Sequence, residues 1–132
     1  MNKANVTSDV YKRQHLFIWW LKNDKNLSKK ARHIIRDAAE VYISSASIWE
    51  SAIKIQLGKL DVNLDSLVDS IEKEGFIELP ISAKHAAKTI DLSLYHRDPF
   101  DRILIAQAIT EPLRFLTADS KLKQYSELVD VV

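Results

Sequence analysis

Four acidic residues stand apart from the other carboxylates of this chain: Glu50, Asp98, Asp101 and Asp119. Asp98 and Asp101 lie in "HRDPFDRILIAQA". Asp98 directly precedes Pro99, the arrangement of a helix N-cap followed by proline at the first helical position, so capping accounts for it as well as chemistry does. Asp101 falls in the first turn, where a carboxylate complements the helix dipole. Its helical neighbours further on are Leu104, Ile105 and Ala108, all apolar. An acid leading an apolar stripe points into an interior or a cleft, where a charge is costly unless it is paired or metal-bound. A functional Asp101 is therefore favoured. Asp119 follows the apolar stretch "LRFLT" and, taken alone, reads best as the N-cap of "SKLKQY". Glu50 sits within "SIWESAIKIQLGKL", flanked at helical spacing by Ala46, Ile53 and Lys54. A solvated Glu50–Lys54 pair, worth about 0.2–0.5 kcal/mol, is the plain alternative there, and spacing leaves it open.

Taken together the acids say more. If Glu50, Asp101 and Asp119 meet at one edge, carboxylates about 4 Å apart repel by roughly 4 kcal/mol per pair at an effective dielectric near 20. That is large against a domain stability of about 5–15 kcal/mol. A divalent cation relieves the repulsion, and an all-oxygen site suits Mg²⁺, with Mn²⁺ as the alternative, rather than zinc. The chemistry such a site supports is metal-assisted hydrolysis of a phosphodiester.

The rest of the chain must supply the scaffold. Its 132 residues suit one domain with a real core. A composition of 46% hydrophobic and 28% charged residues is that of a globular protein, and the net charge of +1 argues neither for nor against nucleic acid. The absence of cysteine excludes disulfides and thiolate metal sites and is compatible with a reducing cytosol. No apolar run reaches the roughly 20 residues of a membrane helix, so a cytoplasmic protein without membrane contact is expected. "HLFIWWLKND" reads as a short buried helix and "LSKKARHIIRDAAE" as an amphipathic helix capped by Ser28. "VYISS" is a strand, "SIWESAIKIQLGKL" a helix stopped at Gly58, and "LDSLVDSIEKEG" another helix ending at glycine. "FIELP" is a strand, "SAKHAAKTIDL" and "PFDRILIAQAI" are helices, and "LRFLT", "DSKLKQY" and "LVDVV" follow as strand, short helix and strand. Strands alternating with helices imply a parallel sheet covered on both faces, with sites at the carboxyl ends of the strands.

"SSASIWESAIKIQLGKL", "YHRDPFDRILIAQA" and "LTADSKLKQY", in that order, closely resemble the PIN-domain ribonucleases of the VapC toxin type, and "HLFIWWLKNDKNLSKKAR" resembles the segment after their first strand. The likeness runs from about His15 to the C-terminus. It implies a three-layer α/β/α PIN-like fold with a parallel central sheet and the activity of a Mg²⁺-dependent endoribonuclease. It also implies a cognate antitoxin that silences the toxin, and homodimerisation. By the motifs, Glu50, Asp101 and Asp119 match the family's metal-binding acids, and Asp98 matches an accessory acid of the same loop.

The start of the chain departs from that pattern. Proteins of the family it resembles open on an apolar strand running into Asp-Thr-His, whose aspartate is the first metal ligand; this chain has Arg13-Gln14-His15. Residues 4–12 make a poor buried strand, with only Val6, Val10 and Tyr11 to contribute, and Asp9 is displaced by four residues from the expected position. "SDVYKRQ" also resembles translated sequencing-adapter read-through. The expectation is that residues 1–14 are foreign, that 15–132 form the PIN-like domain, and that the first strand is missing or replaced. Weak metal binding and little nuclease activity follow, since an arginine at the ligand position repels Mg²⁺. A catalytically inactive PIN-like module that binds an antitoxin or RNA is the alternative. A phospho-receiver-like domain is disfavoured, because neither "VYISS" nor "FIELP" ends in the aspartate it needs. Lys54, Lys59, Arg97 and Arg102 are candidates for RNA phosphates, though each reads more simply as a solvated residue. His96 reads as incidental to proton transfer, and Trp19, Trp20 and Trp49 as core or antitoxin-facing residues.

Overall fold

A computed structural model of the protein describes residues 3–6, 8–9, 14–94 and 98–132. Its main sheet has five parallel strands in the order β5-β4-β1-β6-β7: β5 is Ile77–Leu79, β4 Glu40–Ser44, β1 Lys3–Val6, β6 Arg114–Thr117 and β7 Val129–Val131. The helices are α1 (Leu16–Leu21), α2 (Lys29–Asp37), α3 (Ser45–Gln56), α4 (Leu64–Lys73), α5 (Ala83–Lys88) and α6 (Pro99–Thr110), with 3₁₀ turns at Thr89–Asp91 and Ser120–Tyr125.

The strands carry side chains to opposite faces, as their two-residue period requires. Val41 and Ile43 of β4 and Leu116 of β6 face one core with Phe17 of α1, Ala31 and Ile35 of α2, and Leu67 and Ile71 of α4. Tyr42 of β4 and Phe115 of β6 face the other, built on Leu104, Ile105 and Ala108 of α6. Two apolar layers on a parallel sheet make the three-layer α/β/α architecture. Ser28 caps α2 as expected, accepting from the Ala31 amide at 3.0 Å. Ser45 belongs to α3 rather than to the strand, because the Ser44 hydroxyl accepts the Ala46 amide and starts the helix one residue earlier. "DSKLKQY" forms a 3₁₀ turn, and "SAKHAAKTIDL" passes from α5 into another, where a longer α-helix is expected in the second case.

The centre of the sheet is where the sequence reading meets its test. The place of the first strand is filled, by the four residues Lys3–Val6, which pair with β4 (Ala4 opposite Val41) and with β6 (Asn5 opposite Phe115). Poor side-chain composition does not bar a short strand from a central position, because the ladder on both sides is made by backbone groups that every residue carries. Two short antiparallel strands, β2 (Ser8–Asp9) and β3 (Gln14–His15), then bring the chain to α1, with Asp9 opposite Gln14.

Candidate active site

Glu50 is positioned by the turn from β4 into α3. The Ser44 hydroxyl, at the last residue of β4, accepts the Ala46 amide at 3.0 Å and donates to Gln107 Oε1 of α6 at 2.6 Å. The buried residues of the helix that follows are Ala46, Ser47, Glu50, Ser51 and Lys54, a stripe that is small and polar instead of apolar. Glu50 and Lys54 are each only 2% exposed, so the solvated surface pair is excluded.

Asp101 is positioned by the start of α6. Asp98 is the N-cap, its carboxylate accepting the Phe100 amide at 2.9 Å and the Asp101 amide at 3.4 Å. Asp101 is 2% exposed, and Leu104, Ile105 and Ala108 on its stripe are buried, as the spacing requires. Removing this cap should be felt in stability: Asp98→Ala is expected to cost about 0.5–2 kcal/mol in urea unfolding. A variant as stable as the parent would show that the cap is idle.

Asp119 follows β6 and is 5% exposed. It caps the 3₁₀ turn by accepting the Lys121 amide at 3.0 Å, while its own amide donates to Thr117 Oγ1 at 3.0 Å. The capping reading is thus correct as far as it goes. It leaves open what a second carboxylate oxygen, buried at a strand's carboxyl end, is for.

The topology brings these acids to one edge. β4 and β6 flank β1 in parallel, so their carboxyl ends lie together; Glu50 rides on the helix that leaves β4, and Asp119 follows β6. α6 is fastened to α3 at two places, the Ser44–Gln107 hydrogen bond and an edge-to-face contact of Trp49 with Phe100 at 5.2 Å. Trp49 adjoins Glu50 and Phe100 adjoins Asp101, so the second contact joins the helical turns that carry the two acids. Three carboxylates that supply only oxygen are right in kind for a hard divalent cation. Among the described residues, though, no three acidic or histidine side chains form a group that could hold a metal ion.

Two residues of this region escape a reading by sequence. Lys54 is buried instead of solvated, and the signal for it is the polar stripe it shares with Ser47, Glu50 and Ser51. Gln107 is fully buried, and its amide nitrogen lies 3.4 Å from the Leu79 carbonyl and 3.3 Å from that of Pro80. Arg102 does not present itself as a phosphate ligand: its guanidinium donates to the Ser93 and Thr89 carbonyls, both at 2.9 Å, and so holds the chain ahead of α6. Lys59 is exposed, and His96 and Arg97 lie outside the described residues. Trp19 and Trp20 pack against the core, whereas Trp49 is 61% exposed and lines an apolar cleft of about 610 Å³ with Ile53, Ile81, Phe100 and Ile103. No described helix is long and apolar enough to cross a membrane.

Comparison with known proteins extends this picture. The profile of the family described as PIN domain matches residues 15–128. Among solved structures, the fold is similar to that of a chain in the crystal structure of VapBC2 from Rickettsia felis bound to a DNA fragment from their promoter. The TM-score is 0.68 at 15% identity, with 97% of each chain covered. No curated protein matches the chain.

Proposed function

The chain belongs to the PIN-domain family, and from that premise we propose that it is a metal-dependent endoribonuclease of the VapC toxin type, held in check by a small cognate antitoxin. One observation carries the reading: three carboxylates from separate elements, each at most 5% exposed, are gathered at the carboxyl edge of the sheet. Buried acids without a functional reason are costly, and their clustering costs more. PIN domains of the VapC type are nucleases, which makes phosphodiester hydrolysis the chemistry that repays it.

In this reading Glu50, Asp101 and Asp119 are the residues that would hold Mg²⁺ or Mn²⁺. When bound, the ion would supply activation of water and neutralisation of charge on the leaving oxygen. Asp98 would serve as the accessory acid by holding the first turn of α6, and with it Asp101, through the hydrogen bonds of the cap. Lys59, exposed beyond the end of α3, is available to position an RNA phosphate without reading sequence. The antitoxin and a second copy of the chain are the partners proposed, and the cytoplasm is the compartment that fits an RNA substrate.

The family profile begins at residue 15, which supports taking 15–132 as the PIN-like domain and 1–14 as foreign to it. Arg13 at the position of the first ligand then favours a second reading, an impaired or catalytically inactive module that still binds antitoxin or RNA. Incubating the purified chain with labelled RNA, in Mg²⁺ and in EDTA, separates the two. Cleavage that appears only with Mg²⁺, however slow, is the expected result; RNA binding indifferent to Mg²⁺, with no cleavage, would establish the inactive module.

A further inference from the structure

Lys54 is a lysine at 2% exposure, among the largest fully buried side chains of the protein. It stands one helical turn beyond Glu50 on the buried stripe of α3, and Glu50 is buried to the same degree. Residues four apart on a helix have Cβ atoms about 5–6 Å apart, so a lysine's four-carbon stem brings its ammonium within reach of the glutamate and of the strand edge beyond. The neighbourhood is strongly one-signed. Glu50, Asp101 and Asp119 together bring three negative charges to this edge, and the described residues buried with them include no basic side chain but Lys54. His85, the other buried titratable group, serves elsewhere, with its Nε2 2.5 Å from Glu111 and its Nδ1 accepting the Ser82 amide at 2.9 Å.

A buried ammonium and a buried carboxylate are each costly alone and tolerable together. We propose that Lys54 is the resident counter-charge of the acidic site: it holds Glu50 ionised and in place when no metal is bound, and a divalent ion must compete with it. Lys54 is thereby a positioning residue and not a phosphate ligand. The inference rests on the reading of the acids as a metal centre only for its second half; the charge balance stands without it.

The test is a double-mutant cycle of Glu50→Gln and Lys54→Met on the full chain, read by urea unfolding in EDTA and by calorimetric titration with Mg²⁺. Coupling between the two sites of at least tenfold in the unfolding equilibrium constant is expected, with the double variant more stable than the sum of the single changes implies. Additive effects would overturn the counter-charge. Lys54→Met is further expected to bind Mg²⁺ at least tenfold more tightly than the parent; unchanged or weaker binding would overturn the competition. If neither protein binds Mg²⁺ while the cycle is coupled, the metal centre fails and the counter-charge survives. Should Lys54→Met not fold, amine acetylation of the parent read by mass spectrometry replaces it. Protection of Lys54 in EDTA that is lost in saturating Mg²⁺ supports the proposal, and labelling unaffected by Mg²⁺ overturns it. A lysine serving RNA instead would leave the cycle additive and lower RNA affinity alone.

Discussion

Changing Arg13 to aspartate is expected to raise Mg²⁺-dependent RNA cleavage by about 100-fold, or about 2.7 kcal/mol of transition-state stabilisation. The change removes a cation from the position two residues before His15 and adds an oxygen ligand there. The electrostatics leave room for an effect of this size, since two unit charges about 4 Å apart interact by roughly 4 kcal/mol at an effective dielectric near 20. The strand needed to present the new carboxylate is already in place, because Lys3–Val6 pairs with both β4 and β6. Arg13→Asn provides the control. It removes the positive charge without supplying an anionic ligand, and should recover only a minor part of the gain. Equal rates for the two variants would show that relief of repulsion is the whole effect; no gain from either would sink the missing-ligand explanation.

The second large effect runs the other way. In the Arg13→Asp background, Asp101→Asn is expected to reduce cleavage at least about 1,000-fold, or about 4 kcal/mol, while stability measured in EDTA stays the same or rises. Asparagine keeps the shape of aspartate and removes one of three buried negative charges at the carboxyl edge. A site assembled for catalysis is strained by its own charge, and neutralising one acid relieves that strain as it destroys function. Initial rates on labelled RNA and urea unfolding on the same preparations decide the matter. Cleavage retained within tenfold would remove Asp101 from the chemistry. A loss of stability beyond about 2 kcal/mol would mark it instead as a structural residue whose charge the fold requires.

Both expectations depend on where the acids lie, and the sequence carries that information unevenly. Asp101 is legible because its helix is: Leu104, Ile105 and Ala108 mark the buried side, and Asp101 heads the same stripe and is buried with it. Asp98 and Asp119 are legible as caps, since proline after the one and an apolar strand before the other announce helix starts, and both accept backbone amides as caps do. Glu50 is harder. The apolar residues of α3 point as much to Trp49 and Ile53, which line an open cleft, as to the core. The buried stripe is instead the polar one, so helical periodicity of hydrophobic residues gives no warning that Glu50 and Lys54 lie inside.

The alternation of strands and helices, the caps that begin α2, α3 and α6, and the identity of the acids at their starts are properties of local sequence. They are determined by hydrogen bonding and periodicity within a few residues, and needed no tertiary context to be read. Three things were decided only by the assembled fold. Lys3–Val6 became the central strand because its neighbours offered two unpaired backbone edges, a demand that side-chain composition does not express. Ser44 and Gln107, 63 residues apart, met to fasten the two helices that carry Glu50 and Asp101. Lys54 was buried because the strand edge beneath α3 collects negative charge from distant parts of the chain. Burial of a polar group is worth its cost only when its partner arrives, and the partner's arrival is a fact of three dimensions.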